Sequence, residues 1–380
     1  MAPDLQASMD MDDQRDDHWH EECGIVGIYG DERAAEKVYL GLYALQHRGQ
    51  ESAGIAAADG SCLAFHMGLG LVWSVFADPT VMPRLRGRAA IGHNRYSTRG
   101  TSTITNAQPI VIECRTGTIA VAHNGTITNA SRLRRDMQDT GSIFQTTSDS
   151  EIVLHLIARS QETDLVSSVM DALKRLVGAY CFVFLTPEML ISARDPLGFR
   201  PLSIGRHKDA YLLASETCAF DIMGAEYTRS VEPGEVVVID RSGMRSLRLP
   251  ESPRKSFCIF EHIYFSRPDS LVFGEKVDKI RRRLGKKLAE DAPADADIVI
   301  AVPDSGNTAA LGFARVSGLR YEIGLIRNHY VGRTFIAPHQ DKRKLDVKVK
   351  LNPVRGVIDG KRVVLVDDSI VRGTTMRQIV

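Results

Sequence analysis

Cys23 opens the run Cys23-Gly24-Ile25-Val26-Gly27, where an acidic leader ending in Glu21-Glu22 gives way to the first apolar segment. If the peptide bond before Cys23 is cut, one residue carries both a thiol nucleophile and a free α-amine. The ordinary amine pKa of about 7.7–8.0 suits a general base. A second chemical run, VVLVDDSIVRGTT, spans residues 363–375. It reads as a buried strand ending in Asp367 and Asp368, then a loop with Ser369, Arg372, Gly373, Thr374 and Thr375 that opens a helix. Such a loop aims backbone N–H groups at a phosphate, glycine permits close approach, and the hydroxyls add donors. The paired acids at the strand's carboxyl end suit ribose hydroxyls or a magnesium ion. The chain has no Walker lysine motif and no G-x-G-x-x-G, which argues against an ATPase or a dinucleotide fold.

Four polar clusters follow Cys23: HRGQESAGIA (47–56), GHNRYSTRG (92–100), HNGTITN (123–129) and TTSDSE (146–151). Together they supply what glutamine hydrolysis needs. The substrate's carboxylate and ammonium call for a bidentate arginine and an acid, here Arg95 and Asp149. The oxyanion of a tetrahedral intermediate needs fixed donors, here the Asn124 amide and the Gly125 N–H on a turn after a strand. Two companions flank the acidic pair. AVPDSGNTAALG (301–312) reads as strand, turn and helix, and IRNHYVGRTFI (326–336) carries Arg327, Tyr330 and Arg333 on a stretch able to close over a substrate.

The elements that must hold these groups follow from periodicity. With 380 residues, 43% of them apolar and 25% charged, the chain is long enough for two domains. Residues 1–22 hold eight acids and one arginine without helical or strand period, and read as a disordered leader fated for removal. The remainder carries about +8, which suits a phosphorylated small substrate better than nucleic acid. Six cysteines at 23, 62, 114, 181, 218 and 258 form no C-x-x-C pair, and no apolar run reaches the roughly 20 residues a membrane span takes. A cytoplasmic, reduced setting follows. Strands are expected near 24–29, 53–58, 62–66, 89–95, 118–123, 179–186, 189–194, 211–215 and 235–239. Helices are expected near 32–46, 149–160 and 164–176. A polar stretch at 250–256 reads as a linker. Beyond it, a helix near 275–290 and strands at 297–302, 323–326 and 362–366 predict a parallel, doubly wound sheet.

CGIVGI, LQHRGQESAGIA, IGHNRYSTRG, AHNG and TSDSE, in this order, resemble the glutamine amidotransferases of the N-terminal-nucleophile hydrolase type. That resemblance implies an αββα sandwich over 23–250, a propeptide at 1–22, and the roles just given for Cys23, Arg95, Asn124, Gly125 and Asp149. The 363–375 run resembles the motif of type I phosphoribosyltransferases, implying an α/β domain over 257–380 with Ser305 as a magnesium contact. With DPLGFRPL (195–202), SETCAFD (215–221) and CIFEHIYFSRPDS (258–270), the whole is similar to the propeptide-bearing glutamine phosphoribosylpyrophosphate amidotransferases. These make 5-phosphoribosylamine, releasing pyrophosphate and glutamate, and open purine synthesis. The resemblance implies Mg2+, a homo-oligomer, and no nucleic-acid or membrane partner. It places Cys258 where relatives hold the first thiolate of a [4Fe-4S] cluster. Too few strands surround the 363–375 run for a closed sheet, so the chain reads as truncated at its C-terminus. A glucosamine- or asparagine-forming amidotransferase would need other motifs where this chain has VDDSIVRGTT. A regulatory module that holds a ribose phosphate without turnover is a reading of another class.

Overall fold

The computed structural model describes residues 23–96, 103–252, 254–328, 351–370 and 374–380. The leader at 1–22 lies outside them.

Alternation of side chains along strands builds the first body. One antiparallel sheet has seven strands in the order Glu226–Ser230, Ser203–His207, Ala210–Ala214, Gly24–Tyr29, Ala89–Arg95, Ser52–Ala58, Leu63–Leu69. A second has six, in the order Gly243–Arg248, Glu235–Asp240, Leu190–Arg194, Gly178–Leu185, Gly117–Ile127, Ile110–Cys114. Successive residues face opposite sides of each sheet. Ile25 points between the sheets with Ile91, Ala120, Ala122, Val183, Leu213 and Val237, whereas Val26 and Ile28 pack outward against Val38, Leu42 and Phe220. The outer face of the six-stranded sheet is covered by helices Ala130–Gln138, Glu151–Arg159 and Leu165–Lys174, through Leu133, Ile152, Leu156 and Val169 on Val121, Phe182 and Val236. Helices Ala34–Ala44 and Cys218–Met223 cover the other sheet, completing the αββα sandwich.

Several elements escaped periodicity. Strands Ile110–Cys114, Ser203–His207, Glu226–Ser230 and Gly243–Arg248 are short or half-exposed, and helix Ala130–Gln138 carries three arginines in nine residues.

Among the described residues, no regular element occupies 249–252 or 254–257. Next come a π-helical turn, Glu261–Phe265, and helix Val277–Asp291, which crosses helix Asn307–Ser317. The crossing is close because both partners are glycine at the contact: a Cβ on Gly285 would lie 1.8 Å from Ala309 O, and one on Gly312 2.1 Å from Arg282 O. The parallel sheet is corrected in one strand. Its order is Arg320–Tyr321, Ile298–Ala301, Val363–Val366. The segment expected as its strand near 323–326 instead forms Leu325–Arg327, which pairs antiparallel with Leu351–Pro353. An apolar run of three residues carries no information about which partner it will pair with.

Candidate active sites

Cys23 sits one residue before the central strand of the seven-stranded sheet, whose first pair is Gly24 opposite Asn94. Its half-buried thiol donates to Tyr96 O at 3.4 Å, and its own carbonyl accepts from Arg48 Nε at 3.2 Å. Arg95 ends the neighbouring strand, 3% exposed, with a guanidinium nitrogen 3.6 Å from the Glu51 carboxylate.

Asn124 and Gly125 correct the expectation of a turn: both lie inside the long strand Gly117–Ile127, opposite Cys181 and Tyr180. Gly125 sits within the strand at φ +147°, and a Cβ there would come 2.1 Å from Ala179 O. The Asn124 side chain is fully buried, yet neither Oδ1 nor Nδ2 meets a protein partner. A buried amide left unpaired costs stability, so one aimed at a ligand has a reason to persist.

Asp149 is fixed on the same strand end. Its Oδ2 accepts from Ile127 N at 2.8 Å, and Oδ1 lies 3.8 Å from His123 Nδ1. His123 Nδ1 also meets Ser150 Oγ at 2.9 Å, Gln108 Nε2 donates to that oxygen at 3.0 Å, and His123 N donates to Gln108 Oε1 at 2.8 Å. Across the two sheets, His93 Nε2 donates to His123 O at 3.0 Å. Burial, with the Arg95 charge adding to it, holds the His93 imidazole down at about 3, so it is neutral. These ties gather Cys23, Arg95, Asn124, Gly125 and Asp149 at one end of the sandwich.

The second cluster forms where two parallel strands end side by side. Val302 N donates to Val366 O at 2.9 Å, and a Cβ on Gly306 would lie 2.5 Å from that oxygen, so the turn holding Ser305 sits against the strand leading to Asp367. Burial, then the neighbouring Asp368 charge, pushes the Asp367 carboxyl up to about 6. Asp368 N donates to Asp367 Oδ1 at 2.9 Å, and Ser369 Oγ donates to Asp368. Arg327 donates to Asp304 at 3.0 Å beside a cavity of about 210 Å³ lined by Pro303, Asn307 and Gly324. Thr374 and Thr375 open helix Thr374–Ile379. Tyr330, Arg333, Arg372 and Gly373 lie outside the described residues.

Two adjacent carboxylates, with Asp367 raised in proton affinity by burial and by its neighbour's charge, fit a divalent cation that takes its remaining ligands from substrate and water. Cys258 is a different matter. It is buried, its sulfur accepts from Arg200 at 3.4 Å, and burial pushes its thiol up. Among the described residues no three His, Cys, Asp or Glu side chains group to hold a metal, so they do not fit an iron–sulfur cluster, which takes four thiolates.

The family described as a glutamine amidotransferase domain matches residues 93–221. Amidophosphoribosyltransferase 3 of Arabidopsis thaliana is 53% identical over 367 residues, 96% of this chain and 69% of that protein. The Bacillus subtilis amidophosphoribosyltransferase is 51% identical over 362 residues, covering 95% of this chain and 76% of its own length. The chain belongs to the amidophosphoribosyltransferase family. A solved structure described as the allosteric regulatory enzyme of purine biosynthesis superposes with a TM-score of 0.90 at 50% identity, over 94% of this chain and 77% of the other. A second, the B. subtilis enzyme complexed with ADP and GMP, gives 0.89 at 50% identity, over 94% and 77%.

The first cluster brings together a thiol, an arginine, a carboxylate and a buried amide, and the second two carboxylates beside the turn that holds Ser305. Sequence reasoning did not single out Arg48, His93, Gln108, His123, Ser150, Glu216 or Glu261. All but Gln108 lie inside a quoted motif, but a buried His or Arg looks no different in sequence from a surface one. Only the packing of one sheet on the other brings the His93 ring to the His123 carbonyl.

Proposed function

We propose that Cys23 and the Asp367–Asp368 pair divide the family's reaction between them, in units spanning 23–250 and 257–380. With the leader removed, the Cys23 α-amine takes the thiol proton, and the sulfur attacks the glutamine side-chain carbonyl. Asn124 and Gly125 N–H hold the oxyanion, while Arg95 and Asp149 hold the substrate's carboxylate and ammonium. Collapse breaks the C–N bond, the amine returns a proton, and ammonia leaves a thioester that water hydrolyses to glutamate. Ammonia then attacks the anomeric carbon of phosphoribosylpyrophosphate, and pyrophosphate leaves as 5-phosphoribosylamine forms. Ammonia released to bulk water would be mostly protonated and no longer nucleophilic, so a water-excluding passage belongs to this reading. Asp367, Asp368 and Ser369, with Arg372, Gly373, Thr374 and Thr375, hold the ribose phosphate. Ser305, Arg327, Tyr330 and Arg333 serve the pyrophosphate. Asp367, Asp368 and Ser305 would hold Mg2+, which supplies charge neutralisation for the leaving group.

The observation that carries the proposal is the fully buried Asn124 amide, whose Oδ1 and Nδ2 have no protein partner. Among the described residues no helix is long and apolar enough to cross a membrane, and we place the protein in the cytoplasm as a homo-oligomer binding small molecules only. Cys23→Ser should abolish glutamine-dependent phosphoribosylamine formation and leave the ammonium-dependent rate intact, measured with phosphoribosylpyrophosphate and magnesium. Loss of both rates would contradict two separate sites.

A further inference from the structure

Arg48 is a fully buried guanidinium whose five donors are almost all committed. One terminal nitrogen donates to Glu216 Oε1 at 2.6 Å and to Glu261 Oε2 at 2.9 Å, and the other to Glu261 Oε1 at 2.7 Å. The remaining Nε donates to the Cys23 carbonyl. All three side chains of this cluster have no exposed surface. The two carboxylates face two arginines, Arg48 and, at 3.6 Å from Glu261, Arg200, so charge balances within the protein. Burial opposes ionisation of both acids, but the surrounding cations outweigh it and hold them below the usual carboxylate range.

The carboxylates are themselves pinned. Glu261 accepts from Ser266 Oγ at 2.6 Å, and its turn is tied down by Arg281, which donates to His262 O at 2.8 Å and Ser266 O at 2.7 Å. Glu216 accepts from Ser270 Oγ at 2.8 Å, Arg267 N at 2.9 Å and His47 Nε2 at 2.8 Å. A bidentate fork fixes the plane of a guanidinium, and a fixed plane fixes the direction of its Nε–H bond. That bond ends on the carbonyl of the residue proposed as nucleophile. Holding this carbonyl sets the rotation about the Cys23 Cα–C bond, hence where its amine and thiol point relative to the Gly24 strand.

We infer that Glu261, which lies beyond the 249–257 connection and outside the sandwich, is a positioning residue for glutamine hydrolysis, acting on Cys23 through Arg48. It rests on the reading of Cys23 as nucleophile. The glutaminase centre then needs residues 261–281 as part of its frame, although none of them touches substrate.

The test compares glutamine-dependent and ammonium-dependent phosphoribosylamine formation in the whole protein, with Cys23→Ser as reference. Glu261→Gln removes the charge and one arm of the fork at almost constant shape. Glutamine-dependent kcat should fall about 10²-fold, the cost of misplacing a reacting group by roughly 1 Å, while KM for glutamine and the ammonium-dependent rate stay unchanged. Arg48→Lys keeps the cation between the acids but brings no Nε–H to Cys23, and should lose glutamine-dependent turnover with the same split. Equal loss of both rates in Glu261→Gln would reduce Glu261 to a structural part and overturn the inference, as would full glutamine-dependent turnover in either variant. Retained glutamine-dependent activity in Cys23→Ser would instead remove the reading of Cys23 itself.

Discussion

At the scale of single residues, two buried polar groups of the sandwich differ in what they do for stability. Asn124 is buried with its amide unmatched, whereas Glu151, two residues past Asp149, is buried and fully used. Its carboxylate accepts from Gln145 N, Thr146 N and Thr146 Oγ1, each at 2.8 Å. Burial raises its proton affinity, but His155 and these donors outweigh it and hold the carboxyl at about 2, below the ordinary 4.5. Because the folded value is depressed, its contribution to stability is present above pH 4.5 and is lost as pH falls from 4.5 towards 2. Glu151→Gln should cost about 2 kcal/mol at neutral pH and flatten the stability curve across that window, as followed by denaturant titration. Asn124→Ala should leave stability unharmed, since it removes an unsatisfied group, and should lower glutamine-dependent kcat about 10²–10³-fold. These opposite outcomes separate a group held for the fold from one held for the substrate. Cys23, Arg95 and Asp149 could be proposed from the sequence because the chemistry demands those side chains. The histidines behind them could not, because their contacts depend on how one sheet packs on the other.

At the scale of elements, backbone positions decide what the sequence concealed. Asn-Gly is a turn dipeptide by propensity, yet here it sits inside an eleven-residue strand, where Gly125 takes the positive φ that a side chain resists. Gly125→Ala forces a contact with the Ala179 carbonyl and displaces the N–H proposed for the oxyanion. It should lower glutamine-dependent turnover about 10²-fold or more and spare the ammonium-dependent rate, read from the two assays in parallel. In the second body, Gly285→Ala should do the reverse. It pushes helix Val277–Asp291 off helix Asn307–Ser317, costs about 1–3 kcal/mol in thermal unfolding, and lowers ammonium-dependent pyrophosphate release. The long strands and the amphipathic helices were readable because one face of each meets the core with the proper period. Leu325–Arg327 was placed in the wrong sheet, because three residues specify extension but no partner.

At the scale of the whole molecule, the order of motifs announced two chemistries, and the proposed reading gives one to the sandwich and one to the parallel sheet. What the sequence could not convey is how tightly the two are joined. Glu216 reaches past the sandwich to Arg267 and Ser270, Thr217 Oγ1 accepts from Leu271 N at 2.8 Å, and Glu261 reaches back to Arg48. Such contacts link residues up to 213 positions apart, and no local pattern encodes them. A joined frame of this kind suits an enzyme whose intermediate must travel from one site to the other without meeting bulk solvent. The most direct measurement supplies amide-15N glutamine together with excess unlabelled ammonium at a pH where free ammonia is scarce, and traps the phosphoribosylamine formed. The account predicts that product carries the glutamine label in proportion to glutamine consumed, with Cys23→Ser incorporating only unlabelled nitrogen. Label diluted to the isotope ratio of the bulk would contradict it.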